Sequence, residues 1–199
     1  MATPGLRPEG PESESLSPVR HRRFSVAEYH KMIDAGIVGK GEHVELLEGE
    51  IVQMSPMEKP HARATGKLDR WFQRNLGDEY SVRVQLPLTL RDSEPEPDVA
   101  IVRERDAALA QRHPKTALLA LEVANMSVRY DLETKARIYA KARIPEYWLV
   151  VVRKRLVEVL RDPDAKKLAY RTRVTAPATG WLEPAAFPGL KLAVRSLFD

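Results

Sequence analysis

Three acidic residues stand where acids are ordinarily avoided. Glu122 interrupts the apolar run TALLALEVA, Asp98 opens the apolar run DVAIV, and Glu45 lies within HVELLEGEIVQM. An ionised carboxylate inside a buried strand is costly unless something pairs with it. Lys135 follows in the helical pattern DLETKARIYAKA, four residues after Asp131 and therefore on the same helical face. If the strands bearing Asp98 and Glu122 are neighbours, their carboxylates converge. Converging carboxylates repel unless a cation lies between them or one keeps its proton. Oxygen ligands with open positions suit Mg²⁺ or Mn²⁺ rather than zinc. Two acids, a lysine and such an ion are the parts needed to hydrolyse a phosphodiester. The ion lowers the pKa of a bound water, and the lysine orients that water or meets the charge that develops on phosphorus.

The elements that must position these residues are readable from period and turn chemistry. Ser25 and Glu28 have capping-box spacing, so a helix starts there and runs toward Gly36. Apolar-rich runs on either side of Glu48-Gly49 predict a hairpin over 43–54. Leu68, Trp71, Phe72 and Leu76 recur at helical spacing, predicting a helix from His61 to Leu76. Its opposite face carries Arg63, Lys67, Arg70 and Arg74, a stripe that could follow a phosphate backbone or simply be solvated. His61, at the start of that helix, is expected to be exposed. An extended segment broken by Pro87 is predicted over 80–90, strands over 97–102, 117–124 and 146–152, a helix or helical turn over 103–111 and a helix over 131–142. Arg155 to Leu160 pairs back as a hairpin, Lys167 to Val174 reads as an edge strand, and a last extended piece lies near 189–194. Strands, then strand–helix–strand, then strands again, predict an α/β or α+β fold with a mixed sheet.

Composition narrows the rest. The chain has 199 residues, enough for one sizeable core, and residues 23–199 are expected to form one domain. Residues 1–22, rich in Pro, Glu, Ser and Gly, are expected to be a disordered tail. The net charge of +4 permits a polyanionic partner without demanding one. With no cysteine, thiolate nucleophiles, disulfides and Cys-based zinc sites are excluded. No apolar run is long enough to span a bilayer and no signal-peptide core is present, so a cytoplasmic location is expected. There is no glycine-rich phosphate loop, dinucleotide fingerprint or Ser-His-Asp candidate set.

Five ordered segments, VELLEGEIVQMSP followed by His61, EPDVAIV, LEVANMS, YDLETKARIYAKARIPEYW and VEVLRDP, resemble the Uma-type family of restriction-endonuclease-like proteins. That family is a branch of the PD-(D/E)XK nuclease superfamily. The resemblance implies a restriction endonuclease-like fold, a central mixed sheet flanked by helices. It also implies a Mg²⁺- or Mn²⁺-dependent endonuclease acting on DNA, with Asp98 and Glu122 holding the metal beside the Val123 carbonyl. Glu45 would complete the acidic cluster, and a homodimer is implied. Ala124 stands where the superfamily motif has its lysine, and Lys135 matches the place on the following helix to which the Uma-type lysine has moved. Arg143 replaces a common turn glycine, and the strand after Trp148 continues Leu-Val-Val-Val where the family often shows an Asp. Two other readings stay open. One is a nucleic-acid-binding or structural protein that keeps the fold without cutting, and the other is a hydrolase of small phosphate esters.

Overall fold

The computed structural model describes residues 21–199 apart from Lys40, Ser55 and Gln111, so nearly all of the predicted tail lies outside the described residues. Helix α1, Val26–Asp34, opens on the expected capping box. Ser25 Oγ accepts from Glu28 N–H, and the Glu28 carboxylate accepts from Ser25 N–H at 2.9 Å. Strands β1, Val44–Leu47, and β2, Glu50–Gln53, form the predicted hairpin with Leu47 opposite Glu50. Its two-residue turn places both Glu48 (φ 50°) and Gly49 (φ 84°) in the left-handed region, the geometry that matches strand twist in tight hairpins. A Cβ on Gly49 would lie 2.7 Å from Arg23 Cβ, so glycine is required there for space as well as for φ.

Helix α2, Lys59–Asn75, follows, and then β3, Tyr80–Val84. Next come β4, Val99–Arg103, a short helix α3, Glu104–Ala108, and β5, Leu119–Ala124. A helical segment then runs from Val128 to Lys141 and leads into β6, Glu146–Val151. Strands β7, Leu156–Asp164, and β8, Ala169–Pro177, complete a six-stranded sheet of order β3-β4-β5-β6-β7-β8. Only β5 and β6 run parallel, joined by the helical crossover, and the other neighbours are antiparallel. Two short strands, β9 (Trp181–Leu182) and β10 (Leu192–Ala193), pair near the C-terminal end. The architecture is the expected α/β one, a central mixed sheet with helices on both faces.

Both faces of β5 and β6 are buried, which explains why their sequences are continuous apolar runs rather than alternating ones. Leu68 and Phe72 of α2 pack on one face against Val99, Leu121, Trp148 and Val150. Ile138, Tyr139 and Ala140 pack on the other against Ala100, Ala120, Ala124 and Leu149. The crossover departs from the regular helix predicted over 131–142. It comprises α4, Val128–Tyr130, a π-helical turn, Asp131–Lys135, and α5, Ala136–Lys141, with Ala136 N–H donating to the Asp131 carbonyl five residues back. One extra residue in a turn changes which side chains face the sheet, and here Asp131 and Lys135 are both buried. Arg143, where the resemblance leads one to expect a turn glycine, adopts φ 59°, the backbone conformation that glycine favours.

Candidate active site

Chain alternation puts Asp98 and Glu122 on one face of the sheet. Ala100 and Ala120 belong to the same core cluster, and Asp98 and Glu122 each lie two residues away from them. Val99 is opposite Leu121, so one step along the ladder Asp98 faces Glu122. Both are buried, and Asp98 Oδ2 accepts the Val123 amide at 2.7 Å. Glu45 arrives from the separate hairpin. That hairpin is held by the amide of Glu94 bonding to the Leu46 carbonyl at 2.6 Å, while Glu45 Oε1 accepts the Glu96 amide at 2.7 Å.

Lys135 closes the group from the π-helical turn. It is 1% exposed, and its Nζ donates to Glu45 Oε1 at 2.8 Å and to Glu122 Oε1 at 3.1 Å. The solvated pair with Asp131 that helical spacing offers does not form. Asp131 is itself buried and accepts from Ser127 Oγ at 2.6 Å. Tyr139, one turn beyond Lys135, donates its hydroxyl to Glu122 Oε1 at 2.7 Å. Two further approaches are close without hydrogen-bond alignment: His61 Nε2 lies 2.7 Å from Asp98 Oδ2, and Glu45 Oε2 lies 2.7 Å from Lys135 Nζ. Both atoms are buried.

The electrostatics follow from crowding. Burial raises the Glu122 pKa; Lys135 works against that rise, and Asp98, Asp131 and Glu45 add to it. Asp131 is likewise raised, chiefly by burial. Burial works against the Lys135 ammonium, yet Glu122 and Glu45 outweigh it and hold its pKa above the ordinary lysine range. For His61 burial also acts downward, but Asp98 prevails and its pKa is raised. Four carboxylates therefore share one lysine and one histidine. These groups line a cleft of about 710 Å³.

The donor chemistry fits a divalent cation. Asp98 Oδ1 and Glu122 Oε2 take part in none of the bonds above, and both residues face the cleft together with Val123. Among the described residues no three His, Cys, Asp or Glu side chains are gathered into a ready-made ligand set. A cation held between these two carboxylate oxygens would keep its other positions for solvent or substrate, as Mg²⁺ commonly does.

Measured against the sequence, Asp98, Glu122, Glu45 and Lys135 come together in one place. His61 does not conform: expected to be exposed, it is half-buried against Asp98, because the first turn of α2 docks at the cleft. Tyr139 is a core residue by pattern and burial, yet its hydroxyl reaches the site. Its spacing of four from Lys135 was the available signal that its hydroxyl shares the site. The basic stripe is less coherent. Arg63, Arg70 and Arg74 are exposed, whereas Lys67 donates to the backbone carbonyl of Asp199. Arg74 lies roughly 20 Å along the helix axis from His61, well away from the carboxylates.

Comparison with known proteins agrees with this fold. The family model for Uma2, described as "Putative restriction endonuclease", matches residues 26–195. A solved structure described as a putative nuclease belonging to DUF820, from Anabaena variabilis ATCC 29413, superposes with a TM-score of 0.61 at 14% sequence identity. That match covers 78% of this chain and 89% of the other, and at this identity the likeness is one of fold. No curated protein matches the sequence. With the family model spanning nearly the whole described chain, the protein belongs to the Uma2 family of restriction-endonuclease-like proteins.

Proposed function

We propose that the protein is a divalent-metal-dependent endonuclease that hydrolyses phosphodiester bonds in DNA, with Asp98, Glu122 and the Val123 carbonyl as the Mg²⁺ or Mn²⁺ seat. The observation that carries this is the charge imbalance in the cleft. Glu45, Asp98, Glu122 and Asp131 crowd one buried lysine and one half-buried histidine, so acids outnumber the bases facing them and a further cation would ease the approach of a phosphodiester anion. A bound divalent ion supplies that charge and lowers the pKa of a coordinated water.

The chain's own groups divide the remaining work. Lys135 has three N–H donors; Glu45 Oε1 and Glu122 Oε1 take two, and the third, beside Glu45 Oε2 at 2.7 Å, would turn to the attacking water. Tyr139 and Lys135 together fix Glu122 Oε1, which sets the direction of the second oxygen. The Val123 amide does the same for Asp98. In the reaction the water oxygen bonds to phosphorus and one P–O ester bond breaks. The water proton passes to solvent, and the departing sugar oxygen takes up a proton in turn. The homodimer implied by the superfamily belongs to this proposal, and size-exclusion with light scattering would show twice the chain mass of 22.5 kDa.

The test is nicking of supercoiled plasmid. Wild type is expected to nick with Mg²⁺ or Mn²⁺ and to stop with EDTA. Asp98→Asn keeps an oxygen for the Val123 amide but loses the charge, and it is expected to lower the rate by at least about a hundredfold, in line with loss of a charge-stabilising group. DNA that is bound but not cut under either metal would instead favour a binding protein with a nuclease fold. Cleavage of a generic phosphodiester reporter but not of DNA would favour a small-ester hydrolase.

A further inference from the structure

A second cavity, of about 440 Å³, lies on the other flank of the first turn of α2. Lys59, Arg63, Arg153 and Arg155 line it above an apolar floor that includes Val152 and Phe198. Four cations in one concavity repel one another, and only Arg155 has found an acid: it pairs with Asp199 Oδ1 at 2.6 Å and lies 5.5 Å over the Phe198 ring. Among the described residues the side chains of Lys59, Arg63 and Arg153 make no hydrogen bond or ion pair. Helix α2 is 17 residues long and its N-cap, Glu58, makes no side-chain cap bond, so the amide of Lys59 in its first turn takes no side-chain cap. Glu58 itself turns to Asn125, on the side of the acidic cleft.

We propose that this cavity binds a backbone phosphate of the nucleic-acid strand, a few nucleotides from the one presented to Asp98 and Glu122. The identity of the ligand rests on the nuclease reading; the anion preference rests on the cavity alone. The shared first turn of α2 is what favours a polymer over a free anion. Glu58 and His61 face the acidic cleft and Lys59 and Arg63 face the basic cavity, so the two sites lie on opposite sides of one helical turn. A helix is about 10 Å across, the reach of a few nucleotides along a strand. The apolar floor suits a sugar face between phosphates. The acidic cleft repels a phosphate until a metal is bound, whereas the basic cavity attracts one without metal. It would therefore anchor the strand first.

The experiment is binding of a fluorescein-labelled DNA duplex to the full chain in EDTA, followed by anisotropy across a salt series. Arg63→Gln/Arg153→Gln is compared with a control of equal charge loss in the β7–β8 turn, Lys166→Gln/Lys167→Gln. The pocket variant is expected to weaken binding and to lower the slope of log affinity against log salt by about 0.9, the loss of one phosphate contact. The control should leave the slope unchanged. All four side chains are exposed, so neither variant should alter the thermal melt. An unchanged slope in the pocket variant, or an equal fall in the control, overturns the assignment. So does wild type that fails to bind DNA. Calorimetric binding of inorganic phosphate that Arg63→Gln/Arg153→Gln abolishes, with the DNA slope unchanged, would mark the cavity as a small-anion site and likewise overturn the proposal. Because no cutting occurs in EDTA, the outcome separates from the nuclease reading. DNA that is bound through the cavity yet never nicked with metal sinks only the latter, and nicking with an unchanged slope sinks only the former.

Discussion

Lys135 is the residue on which the site's stability and its chemistry both depend. Its ammonium is buried between Glu45 and Glu122, and removing it leaves two buried carboxylates facing each other with no cation between them. Breaking a buried pair by deleting one partner costs about 3–5 kcal/mol. Lys135→Met should therefore lower the urea midpoint sharply, and Lys135→Met/Glu45→Gln should recover part of the loss while remaining inactive. A Lys135→Met variant as stable as wild type would mean that the lysine neutralises nothing in the fold. The sequence disclosed the types at this site better than their neighbours. Acids inside apolar runs are legible because burial makes them anomalous. His61 was not legible, because nothing local distinguishes a helix-start histidine that meets Asp98 from one that meets solvent.

At the scale of elements, period and turn chemistry were sufficient wherever the backbone is regular. The capping box, the hairpin turn at Glu48-Gly49 and the buried strands all follow from local rules. The π-helical turn did not, because a single added residue leaves the apolar pattern of DLETKARIYAKA almost unchanged while altering which groups face the acids. Two predictions belong here. Glu28 is held at about 2, chiefly by the Ser25 amide, then by the Ser25 hydroxyl and Arg22. A lowered carboxylate pKa contributes stability above the ordinary value of 4.5 and loses it as pH falls toward about 2. The stability gap between wild type and Glu28→Gln should accordingly close over that window in acid-titrated melts, and a gap that persists at its lower end would refute the linkage. Arg143 occupies left-handed backbone at φ 59°. Arg143→Gly should relieve about 1–2 kcal/mol of steric cost, offset by about 0.5–1 kcal/mol of added unfolded-chain entropy. The expected result is a small rise in melting temperature. A clear fall would show that the arginine side chain has a structural role of its own.

The whole molecule explains why a short chain can assemble such a site. One hairpin, two neighbouring strands and one crossover helix supply Glu45, Asp98, Glu122 and Lys135 from segments up to 90 residues apart. The sheet buries both faces of β5 and β6, so the acids are held by the core rather than by loops. Local sequence patterns foretold the class of fold, but the docking of the hairpin against the sheet is a long-range event with no local signature. Packing of α2 on the sheet sets its first turn between an acidic cleft and a basic cavity. The account turns on whether a divalent ion settles where two carboxylates meet beside the lysine. Crystals soaked in Mn²⁺ and measured for anomalous scattering decide this most directly. The expected result is a peak between Asp98 and Glu122 within reach of the Val123 carbonyl, lost in Asp98→Asn. No peak at that position, or a peak elsewhere that survives the substitution, would contradict it.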